Sequence, residues 1–147
     1  MTLGGTTSMK IELNIIPPKA TAQQKGAFVL KGHIRFFEKK QVRSAREILF
    51  SALKPFQPDE PLATAVSLKV KYFFPYRKSE KKSVLKNSLI TPHTVRPDLD
   101  NLEKLLLDVM TSLQFWKDDS QVCDKHTQKF FAPQGKIAIE VKEWSNE

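Results

Sequence analysis

The sequence has few of the residues that hold small proteins together through covalent bonds or metal clusters. It has one cysteine, Cys123, so no disulfide can form within the chain. Its three histidines, His33, His93 and His126, match none of the spacings typical of zinc sites. We therefore expect neither a disulfide-bonded domain nor a zinc-dependent fold. We expect Cys123 to be a small buried residue of a strand.

Long apolar stretches are also missing. No run approaches the roughly 20 apolar residues that a membrane-spanning helix needs. The N-terminus lacks the charged start and apolar segment of a signal peptide, so we expect a cytoplasmic protein that is not bound to a membrane. Residues 1–8 are a polar lead-in that we expect to be disordered. Residues 9–147 are enough for one domain with one modest core.

Acidic residues are scarce in the first part of the chain. Residues 10–89 hold 17 Lys and Arg but only 6 Asp and Glu, whereas residues 90–147 hold 7 and 10. The net charge of the whole chain is +8. Because a strongly basic surface attracts phosphodiester polymers, this distribution favours nucleic acid as a partner. The alternative is that the excess lysine only makes the protein soluble.

Hydrophobic periodicity predicts a chain of mixed elements. Two helices are predicted at 38–54 and 101–113, and four strands at 10–16, 65–74, 122–131 and 137–141. Residues 19–37 read as a loop or a loose hairpin, and the last two strands are expected to pair with each other. There are no internal repeats. We therefore predict a single α+β domain, in which two helices pack on a mixed β-sheet.

The second predicted helix is the most amphipathic part of the chain. Asp100 is its predicted N-cap, and Glu103 would complete a capping box. Lys104 lies opposite the apolar face and four residues before Asp108, with which it could pair. The apolar face follows helical spacing and consists of Leu102, Leu105, Leu106, Val109, Met110 and Leu113.

Two pairs of acids flank this helix, Asp98 with Asp100 and Asp118 with Asp119. If Asp119 folds back beside the first pair, three carboxylates share one small volume, which is costly unless a cation joins them or one of them is protonated. Hard oxygen ligands without cysteine or histidine favour Mg²⁺, with Mn²⁺ as a substitute. Taken singly, Asp100 can be only a helix cap, Asp118 and Asp119 only a polar turn, and Lys104 only a solvated lysine.

The whole string from 93 to 122 resembles the RusA family of Holliday junction resolvases. The resemblance rests on fixed order and spacing: Arg96-Pro97-Asp98-Leu99-Asp100-Asn101-Leu102, then Lys104, then Asp118-Asp119-Ser120-Gln121-Val122. It implies a RusA-like fold, a phage or prophage origin, and a Mg²⁺-dependent endodeoxyribonuclease. Such an enzyme resolves four-way DNA junctions by paired symmetric nicks in recombination and repair, and acts as a homodimer. It also implies that Asp98, Asp100 and Asp119 bind the metal and that Lys104 assists catalysis.

Basic residues in three places are candidates for DNA contact. The densest run is expected to form a loop, an earlier pair accompanies phenylalanines, and one arginine precedes the acids. The densest run consists of Arg77, Lys78, Lys81, Lys82 and Lys86. The earlier pair is Lys31 and Arg35, and the arginine before the acids is Arg96. Lys129, on the strand after the acids, either reaches the metal site or the scissile phosphate or is a solvated strand lysine.

Two other classes of function stay open at this point. One is a non-catalytic DNA-binding accessory protein, in which the acids are structural. The other is a metal-dependent phosphohydrolase acting on small nucleotides, which the long basic run disfavours.

Overall fold

The computed structural model of the protein describes residues 8–19, 25–30, 32–38, 40–77 and 89–146. Several predictions lie outside these residues: those for the lead-in over residues 1–7, and those for Lys31, Lys78, Lys81, Lys82 and Lys86. No helix in the described part of the chain is long and apolar enough to cross a membrane.

The described chain combines seven strands and two α-helices. In chain order they are β1 (Ser8–Leu13), β2 (Lys25–Leu30), β3 (His33–Glu38), α1 (Lys40–Leu53), β4 (Val66–Pro75), β5 (Thr91–Pro92), α2 (Leu99–Ser112), β6 (Val122–Ala132) and β7 (Lys136–Glu143). Short 3₁₀ turns cover Lys54–Phe56 and Asp119–Gln121. The predicted helices and strands are present, and the 19–37 region contains a hairpin of β2 and β3.

Five strands form one mixed sheet in the order β1-β7-β4-β6-β5. The central strand, β4, pairs antiparallel with β7 and parallel with β6. Its alternate side chains Leu68, Val70, Tyr72 and Phe74 are all buried, because the face of the sheet that carries them packs in one core with the helices. The single α+β domain with a mixed sheet and two helices is therefore confirmed.

Both helices contribute to one hydrophobic core with the sheet. α1 supplies Val42, Ala45, Leu49 and Leu53, and α2 supplies Leu102, Leu105, Leu106, Val109 and Met110. Each fully buried side chain of this size contributes about 1.5–3 kcal/mol relative to exposure. The helical face predicted for α2 is thus the face that packs against the sheet.

Two predictions about the C-terminal strands are wrong. β6 and β7 do not pair with each other, because the apolar strand β4 lies between them and bonds to both. Cys123 lies in β6 as expected but is exposed. It lies where the register between β4 and β6 shifts, so no residue of β4 pairs with it, and β5 pairs only with Phe130 and Phe131 farther along β6.

Candidate active site and nucleic-acid interface

The first acid pair lies at the N-terminus of α2. Asp98 is the N-cap residue, with φ −72° and ψ 151°, and its carbonyl accepts the first helical hydrogen bond from Leu102 at 3.1 Å. Asp100 lies in the first turn, so its predicted place as the N-cap is wrong by two residues. The Asp98 side chain accepts no capping hydrogen bond, and both carboxylates are exposed. Neither acid is therefore explained by helix capping alone.

Glu103 does not complete a capping box, because its side chain turns towards the sheet. Its carboxylate accepts hydrogen bonds from Lys125, at 3.1 Å, and from Thr127 of β6. These contacts hold the first turns of α2 against β6. Glu103 therefore does not cap the helix, and Asp98 and Asp100 are the acids at its N-terminus.

Lys104 is exposed on α2, on the side away from the core. Its predicted partner Asp108 lies instead 4.0 Å from Arg46 of α1. Among the described residues, no ion pair joins Lys104 to Asp108. Its ammonium is thus available to an anion approaching the start of the helix.

Lys129 of β6 holds the loop that leads into α2. Its Nζ donates to the carbonyls of Val95 at 2.6 Å and of Pro97 at 2.8 Å. Burial lowers the pKa of this half-buried lysine, and the nearby Asp98 carboxylate raises it. Sequence reasoning missed this role. The available signal is that Lys125, Thr127 and Lys129 alternate onto one face of β6, the face against which α2 packs.

The second acid pair lies elsewhere, because the end of α2 redirects the chain. Gln114 adopts the left-handed conformation with φ 59°, and Phe115 N–H donates to Met110 O at 3.1 Å, which closes the helix. Phe115 and Trp116 are then buried, and Phe115 O accepts from Leu62 N–H at 3.0 Å. This hydrogen bond holds the turn at Asp119–Gln121 close to the residues that precede β4.

Asp119 and Asp98 therefore lie towards opposite ends of the parallel strands β4 and β6. The turn that carries Asp119 immediately precedes Val122, which pairs with Val66 at the start of β4. Asp98 is next to Lys129, which pairs with Tyr72. Lys129 lies seven residues after Val122 along β6, a distance of about 23 Å at 3.3 Å per residue.

The expectation that Asp119 folds back beside Asp98 and Asp100 is thus not met within one chain. Across the described ranges, no group of three or more His, Cys, Asp or Glu side chains is arranged to hold a metal ion. The described residues of one chain therefore do not provide a fitting three-carboxylate site. Asp98 and Asp100 by themselves offer two exposed oxygen donors of the type that Mg²⁺ takes.

Of the second acid pair, Asp118 has a structural role. Its carboxylate accepts from Ser120 N–H at 2.9 Å, while the Gln121 side chain accepts from Asp118 N–H, so the two form a capping box. The Ser120 backbone hydrogen bond lowers the pKa of Asp118. Asp119 is exposed, and no capping contact engages it in this way.

Of the predicted DNA-contacting residues, two have described side chains. Arg96 is exposed, two residues before Asp98, and its peptide bond to Pro97 is cis. Arg77 is exposed two residues after the end of β4, with its guanidinium carbon 5.6 Å from the centre of the Phe131 ring. Arg35 lies in β3.

His93 is part of the interior rather than of the surface. Only 5% of it is exposed, and its ring lies 4.3 Å from that of Phe74 and 4.5 Å from that of Phe131. Burial lowers the pKa of His93, and the charge of Lys129 lowers it further. His93 is therefore a packing residue of the interior, in contact with the rings of Phe74 and Phe131.

Comparison with known proteins identifies a family that matches most of the chain. The family described as "Endodeoxyribonuclease RusA" matches residues 16–142. The "Crossover junction endodeoxyribonuclease rusA" of Lactococcus phage r1t is 34% identical over 134 residues, which cover 91% of this chain and 95% of the relative. "Uncharacterized protein YqaN" of Bacillus subtilis (strain 168) is 26% identical over 133 residues, 87% of this chain and 92% of the relative.

A shorter match extends to a third relative. The "Crossover junction endodeoxyribonuclease RusA" of Escherichia coli (strain K12) is 39% identical over 57 residues, which cover 38% of this chain and 48% of that protein. Because the family match spans most of the chain and the phage relative is similar over nearly its full length, the chain belongs to the RusA family of endodeoxyribonucleases.

Proposed function

We propose that the protein is a Mg²⁺-dependent, structure-selective endodeoxyribonuclease that resolves four-way DNA junctions in recombination and repair. The observation that carries the proposal is the pair Asp98 and Asp100, two exposed carboxylates at the start of α2. They stand in a chain of the RusA family whose phage relative is named a crossover junction endodeoxyribonuclease. Mn²⁺ is expected to substitute for Mg²⁺, because both prefer oxygen ligands.

We further infer that the working enzyme is a symmetric homodimer in which each site uses residues of both copies. Resolution needs two matched nicks, and a two-fold dimer supplies two equivalent sites. Asp119 lies at the far end of β6 from Asp98, so it can join Asp98 and Asp100 only if a second copy supplies it. Two aspartates of one chain and Asp119 of the other would then make the three-carboxylate site.

The roles of the chain's own residues follow from their positions. A bound divalent cation would supply an activated water and stabilise the leaving oxygen of the phosphodiester. Asp98, Asp100 and Asp119 would hold the cation, and the exposed ammonium of Lys104 would stabilise charge that develops on the phosphate. Arg77 and Arg96 would bind the DNA backbone near the site, together with the predicted contacts Lys31, Arg35, Lys78, Lys81, Lys82 and Lys86.

A cleavage assay with three substrates separates this proposal from its alternatives. A labelled four-way junction, a linear duplex of the same sequence and a nucleoside triphosphate are each incubated with Mg²⁺ or with EDTA. The proposal expects nicks in the junction alone, and only with Mg²⁺. Tight junction binding without nicks under any divalent cation would indicate the accessory protein. Hydrolysis of the triphosphate with an intact junction would indicate the small-nucleotide phosphohydrolase.

A further inference from the structure

One side chain of β6 fixes the segment that carries the first acids. Lys129 Nζ donates to Val95 O at 2.6 Å and to Pro97 O at 2.8 Å, and Lys129 O accepts from His93 N–H at 3.3 Å. Three hydrogen bonds therefore join a single strand residue to residues 93–97. Lys129 thus holds the backbone of the connection between β5 and α2 in its conformation.

The backbone held in this way has no regular structure of its own. Residues 93–98 follow the two-residue strand β5 and precede the first helical residue, Leu99. Carbonyls in such a connection need donors from outside it, and an ammonium, which has three N–H groups, can serve two of them at once. Any shift of Pro97 moves Asp98 directly, because the two residues are adjacent in the chain.

We propose that Lys129 is a positioning residue for the active site: through Val95 and Pro97 it fixes the backbone from which Asp98 points. This inference rests on the proposed function for its catalytic consequence, although the structural part stands on the hydrogen bonds alone. Lys129 acts through the backbone rather than on the DNA, since its half-buried ammonium is engaged by two main-chain carbonyls.

The test compares four forms of the full-length protein: wild type, Lys129→Met, Lys129→Arg and Lys125→Met. Met keeps the length of the side chain but cannot donate, whereas Arg restores a donor. Lys125 is the matched control, because it lies on the same face of β6 but bonds to Glu103 rather than to the loop. Amide hydrogen exchange over residues 93–100 is measured without DNA or metal, and single-turnover cleavage is measured on a pre-bound junction with Mg²⁺ titrated.

The proposal expects faster exchange over residues 93–100 in Lys129→Met only, with protection returning in Lys129→Arg. It also expects cleavage by Lys129→Met to fall by roughly 10–100-fold and to need more Mg²⁺, as when a group that orients a metal ligand is lost. Junction affinity should stay within about threefold of wild type, because a positioning residue does not itself hold the DNA.

Two results would overturn the proposal. One is exchange over residues 93–100 in Lys129→Met that equals that of Lys125→Met. The other is faster exchange with unchanged cleavage and Mg²⁺ dependence, which would leave Lys129 with only a structural role. A wild-type protein that cleaves no junction would instead refute the proposed function, while the exchange comparison would still decide how the loop is held.

Discussion

At the scale of single residues, the carboxylates at the start of α2 differ from ordinary capping groups. Asp98 occupies the N-cap position but accepts no capping hydrogen bond, whereas Asp118 caps the turn before β6 through Ser120. The carboxylate of Asp98 thus makes no capping hydrogen bond, whereas that of Asp118 has a structural role. This contrast provides a matched pair of variants.

We predict that Asp98→Asn, Asp100→Asn and Asp119→Asn each abolish junction cleavage, because each removes a charged metal ligand. Asp118→Asn should keep measurable activity, since asparagine caps as well as aspartate does. Single-turnover cleavage with Mg²⁺ is the measurement, and a gel-shift assay should show that all four variants still bind the junction. Substantial nicking by Asp98→Asn, Asp100→Asn or Asp119→Asn would remove that residue from the site.

Lys104 gives a second prediction at this scale. Its exposed ammonium lies on the first turns of α2, while Asp108 is paired with Arg46. If Lys104 contacts the phosphate in the transition state, Lys104→Ala should slow single-turnover cleavage by roughly 10²–10³-fold. Lys104→Arg should restore only part of the rate, because a planar guanidinium does not match an ammonium. An Ala variant within about threefold of wild type would show that Lys104 is only a surface lysine.

His93 predicts how stability depends on pH. Its folded-state pKa is lowered below the ordinary 6.5 by burial, so the unfolded chain binds the proton first as pH falls. Stability should therefore be complete above about pH 6.5 and decline below it, by at most about 1.4 kcal/mol per pH unit. Thermal unfolding at pH 7.5 and pH 5.5 measures the decline, which should be smaller in His93→Phe. An equal decline in both proteins would contradict this origin.

At the scale of secondary structure, hydrophobic periodicity predicted both helices and four of the strands correctly. The apolar face of α2 and the alternation of β4 are strong sequence patterns, because the apolar residues of each element are the ones that are buried. The pairing of β6 with β7 was predicted wrongly, since two strands that are neighbours in the chain need not be neighbours in a sheet. β4, which comes earlier in the chain, lies between them and pairs with both.

For the candidate site, the sequence supplies candidate residues but not their arrangement in space. The spacing of Asp98, Asp100 and Lys104 is local, so helix geometry fixes it. The position of Asp119 depends on how the chain leaves α2, through the left-handed Gln114 and the buried Phe115. Those are tertiary features that no short motif contains, and for the same reason the loop contacts of Lys129 were not visible in the sequence.

At the scale of the whole molecule, two arguments support the proposed homodimer. The proposed paired nicks would require two active sites, and the acids expected to form one site lie towards opposite ends of β6. The basic excess in residues 10–89 would then line a shared surface for the arms of a junction. The three-carboxylate site and the homodimer are thus two parts of one hypothesis.

The most direct test mixes two inactive variants, Asp98→Asn and Asp119→Asn, after unfolding and refolding them together so that mixed dimers form. If each site combines Asp98 and Asp100 of one copy with Asp119 of the other, every mixed dimer has one intact site. The mixture should then nick a four-way junction in one strand, with Mg²⁺ and not with EDTA. A matched mixture of Asp98→Asn with Asp100→Asn should stay inactive, because every site retains a defect. The contrary result is a mixture of Asp98→Asn with Asp119→Asn that nicks no junction, although refolded wild type cleaves it.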